Sequence, residues 1–280
     1  MIGFVTDSSS QLSPGLARAW GVAVVPITVT VDGADFLEGV DLTTAQFWDR
    51  FAGAESLPDI STSQPSPGAF AAAYQALADA GATAVVSVHV GSEVSGTVNA
   101  ARLATELVDV SVVIVDSGTA SFGVSACLRR AIDAVHSGAD AHAAAEAARS
   151  LTPAIGTSFI LQGLDFARRG GRFVESLPDD AEDVVVLAGY GTALDVVGSA
   201  RTAEDLVEAM AAPFLANPTP VHAAVGLADP AMEPLTERLE QRLRSSDVVL
   251  DVVRYQVTPS IASHTGPGTA GGFWWPAAAD

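Results

Sequence analysis

The stretch Ala84-Val85-Val86-Ser87-Val88-His89-Val90-Gly91-Ser92-Glu93-Val94-Ser95-Gly96-Thr97 decides the fold. Ala84–Val90 is short, rich in β-branched side chains and closed by a glycine, the pattern of a buried strand. The polar segment 91–97 then runs straight into Val98–Leu107, where Ala and Leu recur at three-to-four spacing and predict a helix. Strand, polar loop and helix make the unit of a parallel sheet with helices on its faces. The same unit recurs on either side. Ile2–Val5, Val22–Val25 and Val110–Val115 predict strands, and Leu12–Ala19, Ala69–Ala80, Val124–Val135 and Ala141–Ser150 predict helices.

The second half repeats the style with other punctuation. Ile155–Leu161 predicts a strand, and Phe166-Ala167-Arg168-Arg169-Gly170-Gly171-Arg172 a basic turn. Val184–Leu187 and Leu194–Val197 predict a strand pair around Gly189-Tyr190-Gly191. Ala203–Leu215 predicts a helix closed by Asn217-Pro218-Thr219-Pro220. Val221–Leu227, Ala231–Leu243 and Val248–Tyr255 follow as strand, helix and strand. The boundary falls at Leu151-Thr152-Pro153. The expected organisation is two α/β domains, 1–153 with a mainly parallel sheet covered by helices and 154–280 with a mixed sheet and helices.

Composition narrows the function. The chain has 280 residues, 49% of them apolar, enough for two cores. Its formal charge is −19, and all 14 basic residues are Arg. Such a field repels phosphates, so neither nucleic acid nor an anionic membrane is an expected partner. An anionic ligand must be caught by local donors. The single Cys127 sits in an apolar helical pattern, rules out a disulfide framework and fits a reducing cytoplasm. Met1-Ile2-Gly3-Phe4-Val5-Thr6-Asp7 lacks a basic stretch and a cleavage site, so no secretory leader is expected. No apolar run approaches the length of a membrane helix. There is no metal-ligand spacing, no Gly-x-Gly-x-x-Gly after the first strand, no phosphate loop ending in Gly-Lys and no Gly-x-Ser-x-Gly elbow. No cofactor is expected.

What remains is a set of polar loops at predicted strand or helix ends. Thr6-Asp7-Ser8-Ser9-Ser10 follows the first strand, and Asp7 is placed to cap a helix start or to order neighbouring hydroxyls. Ser61-Thr62-Ser63-Gln64-Pro65-Ser66-Pro67-Gly68 precedes a helix and is stiffened by its prolines. Ser95-Gly96-Thr97 gathers two hydroxyls around a glycine that admits close backbone approach. Ser263-His264-Thr265-Gly266-Pro267-Gly268 carries His264, one of five histidines, in a loop fixed by glycine and proline, whereas His136, His142 and His222 sit in regular patterns. Arg172 and Arg201 read as surface arginines when taken alone. Loops at strand ends are where open α/β sheets hold ligands, and these offer hydroxyls, backbone N–H groups and one imidazole.

Taken in order, these segments resemble the DegV family. The resemblance rests on Val5-Thr6-Asp7-Ser8-Ser9, Val24-Val25-Pro26-Ile27 with Asp32-Gly33, Thr62-Ser63-Gln64-Pro65-Ser66, Ser95-Gly96-Thr97, Val115-Asp116-Ser117, Gly170-Gly171-Arg172, Arg201-Thr202 and His264-Thr265-Gly266-Pro267-Gly268. It implies two α/β domains with a long-chain fatty acid held between them. It also implies a carrier rather than an enzyme, which presents the fatty acid carboxylate to a partner kinase that makes the acyl phosphate. The matching positions imply that Thr62, Ser63, Ser95, Gly96, Thr97 and His264 bind the ligand. Asp7, Ser8, Arg172 and Arg201 then serve as supports or in partner docking. Two alternatives stand beside this one: a serine hydrolase using Ser95, His264 and Asp7 or Asp116, or a carrier of another amphiphilic carboxylate.

Overall fold

A computed structural model of the chain describes residues 1–51, 58–162, 164–171 and 183–277. The described chain divides into two compact units, Met1–Pro153 and Ala154–Asp280.

The first unit is built on a parallel sheet. Its strands are β1 (Ile2–Asp7), β2 (Val22–Val25), β6 (Ala84–His89) and β7 (Ser111–Asp116), in the order β2-β1-β6-β7. The middle strands β1 and β6 are buried along almost their whole length, as strands covered on both faces must be. Helices α1 (Pro14–Trp20), α3 (Pro67–Asp79), α4 (Thr97–Ala104), α5 (Phe122–His136) and α6 (Ala141–Leu151) pack on this sheet or beside it. Val5, Val25 and Val85 of the sheet meet Phe70 and Tyr74 of α3 and Ala100, Ala101 and Ala104 of α4 in one core. Local chemistry sets the helix ends. Ser13 and Ser66 each accept an N–H bond in the first turn, with Pro14 and Pro67 at the position where proline loses nothing.

A small antiparallel sheet flanks the parallel one in sequence. It consists of β3 (Thr28–Val31), β4 (Ala34–Leu37) and β5 (Ile60–Ser63), ordered β4-β3-β5, with α2 (Thr44–Asp49) between β4 and β5. The β3–β4 turn places Asp32 and Gly33 at φ 50° and 80°, the left-handed pair a tight hairpin needs.

The second unit carries a mixed sheet of β8 (Gly156–Leu161), β9 (Val184–Tyr190), β10 (Ala193–Ala200), β11 (Val221–Leu227), β12 (Val249–Gln256) and β13 (Ala270–Pro276). Their order is β10-β9-β8-β13-β11-β12. Only β11 and β12 run parallel; the other pairs are antiparallel. Helices α7 (Leu164–Gly170), α8 (Ala203–Leu215), α9 (Glu233–Arg244) and α10 (Pro259–Thr265) complete the unit. Its core joins Leu206, Met210 and Phe214 of α8 and Leu235, Leu239 and Leu243 of α9 to Val186, Val225 and Trp274.

The fold is the two-unit α/β architecture that the sequence implies, with local corrections. Phe166–Gly170 lies in α7 and is not a turn; Gly171, at φ 69°, is its left-handed exit. His264 lies in the last turn of α10 rather than in a loop, because Pro259 opens a helix that Gly266 closes at φ 80°. Thr62 and Ser63 belong to β5, paired with Val29 and Thr28, so they sit on a strand and not in an irregular segment. Strands β3, β4, β5 and β13 and helix α2 have no counterpart in the sequence reading.

Candidate functional site

The order β2-β1-β6-β7 fixes where a ligand can approach. After β1 the chain moves out to β2 on one side, and after β6 it moves out to β7 on the other. The loops leaving β1 and β6 therefore diverge, and the crevice outside their carboxyl ends is the topological switch point of the sheet. β1 ends at Asp7 and β6 at His89.

Asp7 is the hub of that point. It is fully buried. One oxygen, Oδ1, accepts from the Ser9 amide at 3.1 Å and from the Ser9 hydroxyl. The other, Oδ2, accepts from the Val90 amide at 3.2 Å and from His89 Nδ1 at 3.0 Å. Four donors satisfy a carboxylate that burial alone would penalise heavily. The chain continues from the imidazole. His89 Nε2 lies 2.6 Å from Ser87 Oγ, and Ser87 Oγ lies 3.0 Å from the Tyr74 hydroxyl of α3. The donor direction at Asp7 follows from chemistry. The Asp7 carboxylate can only accept, so His89 Nδ1 carries a proton. Phe70, also on α3, sets its ring edge-on to the imidazole at 4.8 Å and 73°. Burial pushes the Tyr74 phenol up to about 12, with the Ser87 hydrogen bond pulling the other way.

Ser87, His89 and Asp7 reproduce the connectivity of a catalytic triad. Ser87 is nonetheless fully buried, and its oxygen is already paired with Tyr74. A nucleophile must reach a substrate carbonyl, and this one has protein on both sides.

A second polar loop lies just beyond, with Gly96 exposed, Ser95 half-buried and Thr97 buried. In the loop after β6, Ser95 N donates to Gly91 O at 3.2 Å, and Ser95 Oγ pairs with Thr97 Oγ1 at 2.9 Å and accepts from Thr97 N at 3.3 Å. Thr97 opens α4, whose start at Gly96 has no side-chain cap. Helix starts favour anions through their N–H groups and dipole. Gly96 is exposed, and a Cβ there would stand 3.0 Å from Gln64 Nε2. Gln64 thus brings the end of β5, with half-buried Thr62 and exposed Ser63, against the Ser95–Thr97 loop. Below the loop, Asp116 Oδ1 accepts from Ser92 N and Gly118 N, each at 3.1 Å. Ser8 is committed inward: it donates to the buried Glu38 carboxylate and accepts from Ile27 N at 2.9 Å.

Within the first unit, then, Asp7, Ser8, Ser95, Gly96 and Thr97 gather at one end of the sheet, and Thr62 and Ser63 join them through Gln64. His264 and Arg201 belong to the second unit. His264 is half-buried on α10, ahead of a turn held by the Gly268 N–H donating to Asp229 Oδ2 at 3.0 Å. Arg201 is exposed and paired with Asp183. Arg172 lies outside the described residues. The sequence reading passed over His89, Ser87, Tyr74 and Glu38. His89 was legible as the last polar residue of the predicted strand Ala84–Val90, level with Asp7 once β1 and β6 are taken as parallel neighbours.

Among the described residues no group of three His, Cys, Asp or Glu side chains is arranged to hold a metal ion, and no helix is long and apolar enough to cross a membrane.

Comparison with known proteins agrees with this architecture. Residues 1–277 match the model of the DegV family, described as an uncharacterised protein family. A DegV domain-containing protein of Streptomyces coelicolor is 31% identical over 278 residues, 96% of each chain. One from Staphylococcus aureus is 28% identical over 276 residues, 95% of this chain and 96% of that one. Among solved structures, a fatty-acid-binding DegV family protein from Thermus thermophilus is 29% identical, with TM-score 0.86 over 99% of both chains. A stearic-acid-binding protein from Eubacterium ventriosum, at 21% identity and TM-score 0.86 over 99% of this chain and 98% of that one, shares the fold. With a match running from the first strand through β13 and relatives aligned along nearly their full length, the chain belongs to the DegV family.

Proposed function

We propose that this chain binds a long-chain fatty acid and presents its carboxylate to a partner kinase that makes the acyl phosphate. In this reading Thr62, Ser63, the Ser95–Thr97 loop and His264 hold the carboxylate. Asp7 and Ser8 support the loops, and Arg172 and Arg201 serve partner docking. The chain is a carrier rather than a catalyst and works in the cytoplasm, where a lone buried thiol such as Cys127 stays reduced.

One observation carries the reading most. The paired hydroxyls of Ser95 and Thr97 stand at the uncapped start of α4, at the switch point of the parallel sheet, in a chain of charge −19. These are neutral donors set where an anion needs them. The Thermus thermophilus relative, a fatty-acid-binding protein at 29% identity, supports the ligand class. Energetics suit it too. Burying about 16 carbons at roughly 0.8 kcal/mol per methylene yields on the order of 12 kcal/mol before association costs. Hydroxyl donors then need only satisfy the head group, which leaves it chemically available.

Mass spectrometry of organic extracts from the purified, denatured protein tests the proposal. A stoichiometric fatty acid in the wild type, depleted in Ser95→Ala and His264→Ala, is the expected result. A folded wild type that yields no lipid sinks the carrier reading. Ester hydrolysis lost in Ser95→Ala would favour the hydrolase, and a different amphiphilic acid in the extract would change the ligand class.

A further inference from the structure

We propose that His89 is a positioning residue for the ligand loops: with a proton on Nδ1, it clamps Asp7 and through it holds the loops after β1 and β6 in register. The inference rests on the fatty-acid reading for its ligand, but not for its geometry.

Three elements that lead to or from the polar loops touch this one ring. β1 supplies Asp7, β6 supplies Ser87 and His89 itself, and α3 supplies Phe70, with Tyr74 behind Ser87. α3 begins immediately after the Thr62–Ser66 segment, so its seating against β6 places that segment. Asp7 in turn holds Ser9 in the loop after β1 and the Val90 amide at the root of the loop after β6. Among the described residues, His89 supplies the one side-chain donor to Asp7 Oδ2, 82 residues away in sequence. An apolar residue at position 89 would leave Asp7 short of a donor and strand Ser87 and Tyr74. Phe70 and the Ser87 hydrogen bond fix the ring's rotation, and the four groups Asp7, His89, Ser87 and Tyr74 are fully buried. None of these four groups reaches solvent, so their work is geometric.

The two ring nitrogens can be imitated separately. The amide nitrogen of Asn stands close to the place of Nδ1, and that of Gln close to Nε2. His89→Asn therefore keeps a donor toward Asp7, while His89→Gln places its donor toward Ser87. The test compares oleate binding, read by displacement of a fluorescent fatty acid, with amide exchange at Ser9, Val90 and Ser95–Thr97 by NMR. Loss of one buried bond to a charged group predicts oleate affinity down roughly tenfold in His89→Gln. His89→Asn, which keeps the Asp7 donor but not the Ser87 contact, is expected to lose clearly less affinity than His89→Gln, and exchange is expected to rise most at those amides in His89→Gln. In the wild type, 15N shifts of His89 should report the Nδ1–H tautomer with and without oleate. The opposite tautomer, or wild-type affinity and exchange in His89→Gln, overturns the proposal, as does equal loss in both variants. Should His89→Gln not fold, Tyr74→Phe provides the milder perturbation: the same amides should exchange faster while Asp7 keeps its donors, and unchanged exchange counts against the proposal. A wild type that binds no oleate defeats the fatty-acid reading, and amide exchange and tautomer still decide the role of His89.

Discussion

Tyr74 shows how a single buried proton becomes a property of the molecule. Its phenol moves from 10.0 to about 12 on burial. The folded state therefore holds the proton more tightly than the unfolded chain does. The associated stability is fully present below pH 10 and is lost as pH rises from about 10 to about 12. At about 1.4 kcal/mol per pH unit, that loss is on the order of 3 kcal/mol. Denaturant melts of the wild type and Tyr74→Phe across pH 9–12 should show the loss in the first and a smaller one in the second. Cys127, buried and pushed up to about 12 from 9.0, contributes in the same direction and is common to both proteins. Parallel curves for the two proteins would show that Tyr74 is not the group responsible. At this scale the sequence was only partly legible. Asp7 and Ser95 stood out because they lie in polar loops. His89 did not, because it is embedded in Val-Val-Ser-Val-His-Val, and its meaning comes from Asp7, 82 residues away.

At the scale of elements, legibility followed local pattern. Val22–Val25, Ala203–Leu215 and Val221–Leu227 keep the bounds their periodicity predicts. β5 was hidden because Ile60-Ser61-Thr62-Ser63 is too polar to read as a strand, and only pairing with β3 makes it one. β13 was hidden because Ala270-Gly271-Gly272 has weak intrinsic strand preference. Tertiary packing requires those glycines: a Cβ at Gly272 would stand 2.0 Å from the Ala224 carbonyl oxygen. The same crowding recurs at Gly156, where a Cβ would fall 2.0 Å from the Trp274 ring. That ring is held by Phe214 at 4.7 Å and Tyr190 at 5.7 Å, so it cannot swing aside cheaply. Gly156→Ala is expected to cost about 2–3 kcal/mol through overpacking. Tryptophan near-ultraviolet dichroism and the urea midpoint would report it, and a variant with wild-type values for both would refute the packing argument.

At the scale of the whole molecule, charge is the dominant sequence-level fact. A formal charge of −19 opposes compaction, and salt screens that repulsion over about 10 Å at 0.1 M. The surface ion pairs that salt also weakens, such as Arg242–Glu208 and Arg129–Asp133, are worth only about 0–1 kcal/mol each. The urea midpoint should therefore rise between low salt and 0.5 M sodium chloride, and a fall would mean that the ion pairs outweigh the net repulsion.

The central place of β13 also bears on how the chain is made. Synthesis delivers the polypeptide from its N-terminus, and the first unit, with its own core, contains every strand of its sheets once residue 116 has emerged. The second unit has no such option. β8 and β11 are separated by a strand that leaves the ribosome only at residues 270–276, so until then two interior strands present unpaired edges. A nascent or prematurely terminated chain thus exposes adhesive backbone in its second half while its first half is already folded. The position of one late strand makes closure of the second sheet wait until residues 270–276 have been made, and makes chaperones and proteases the natural readers of its failure.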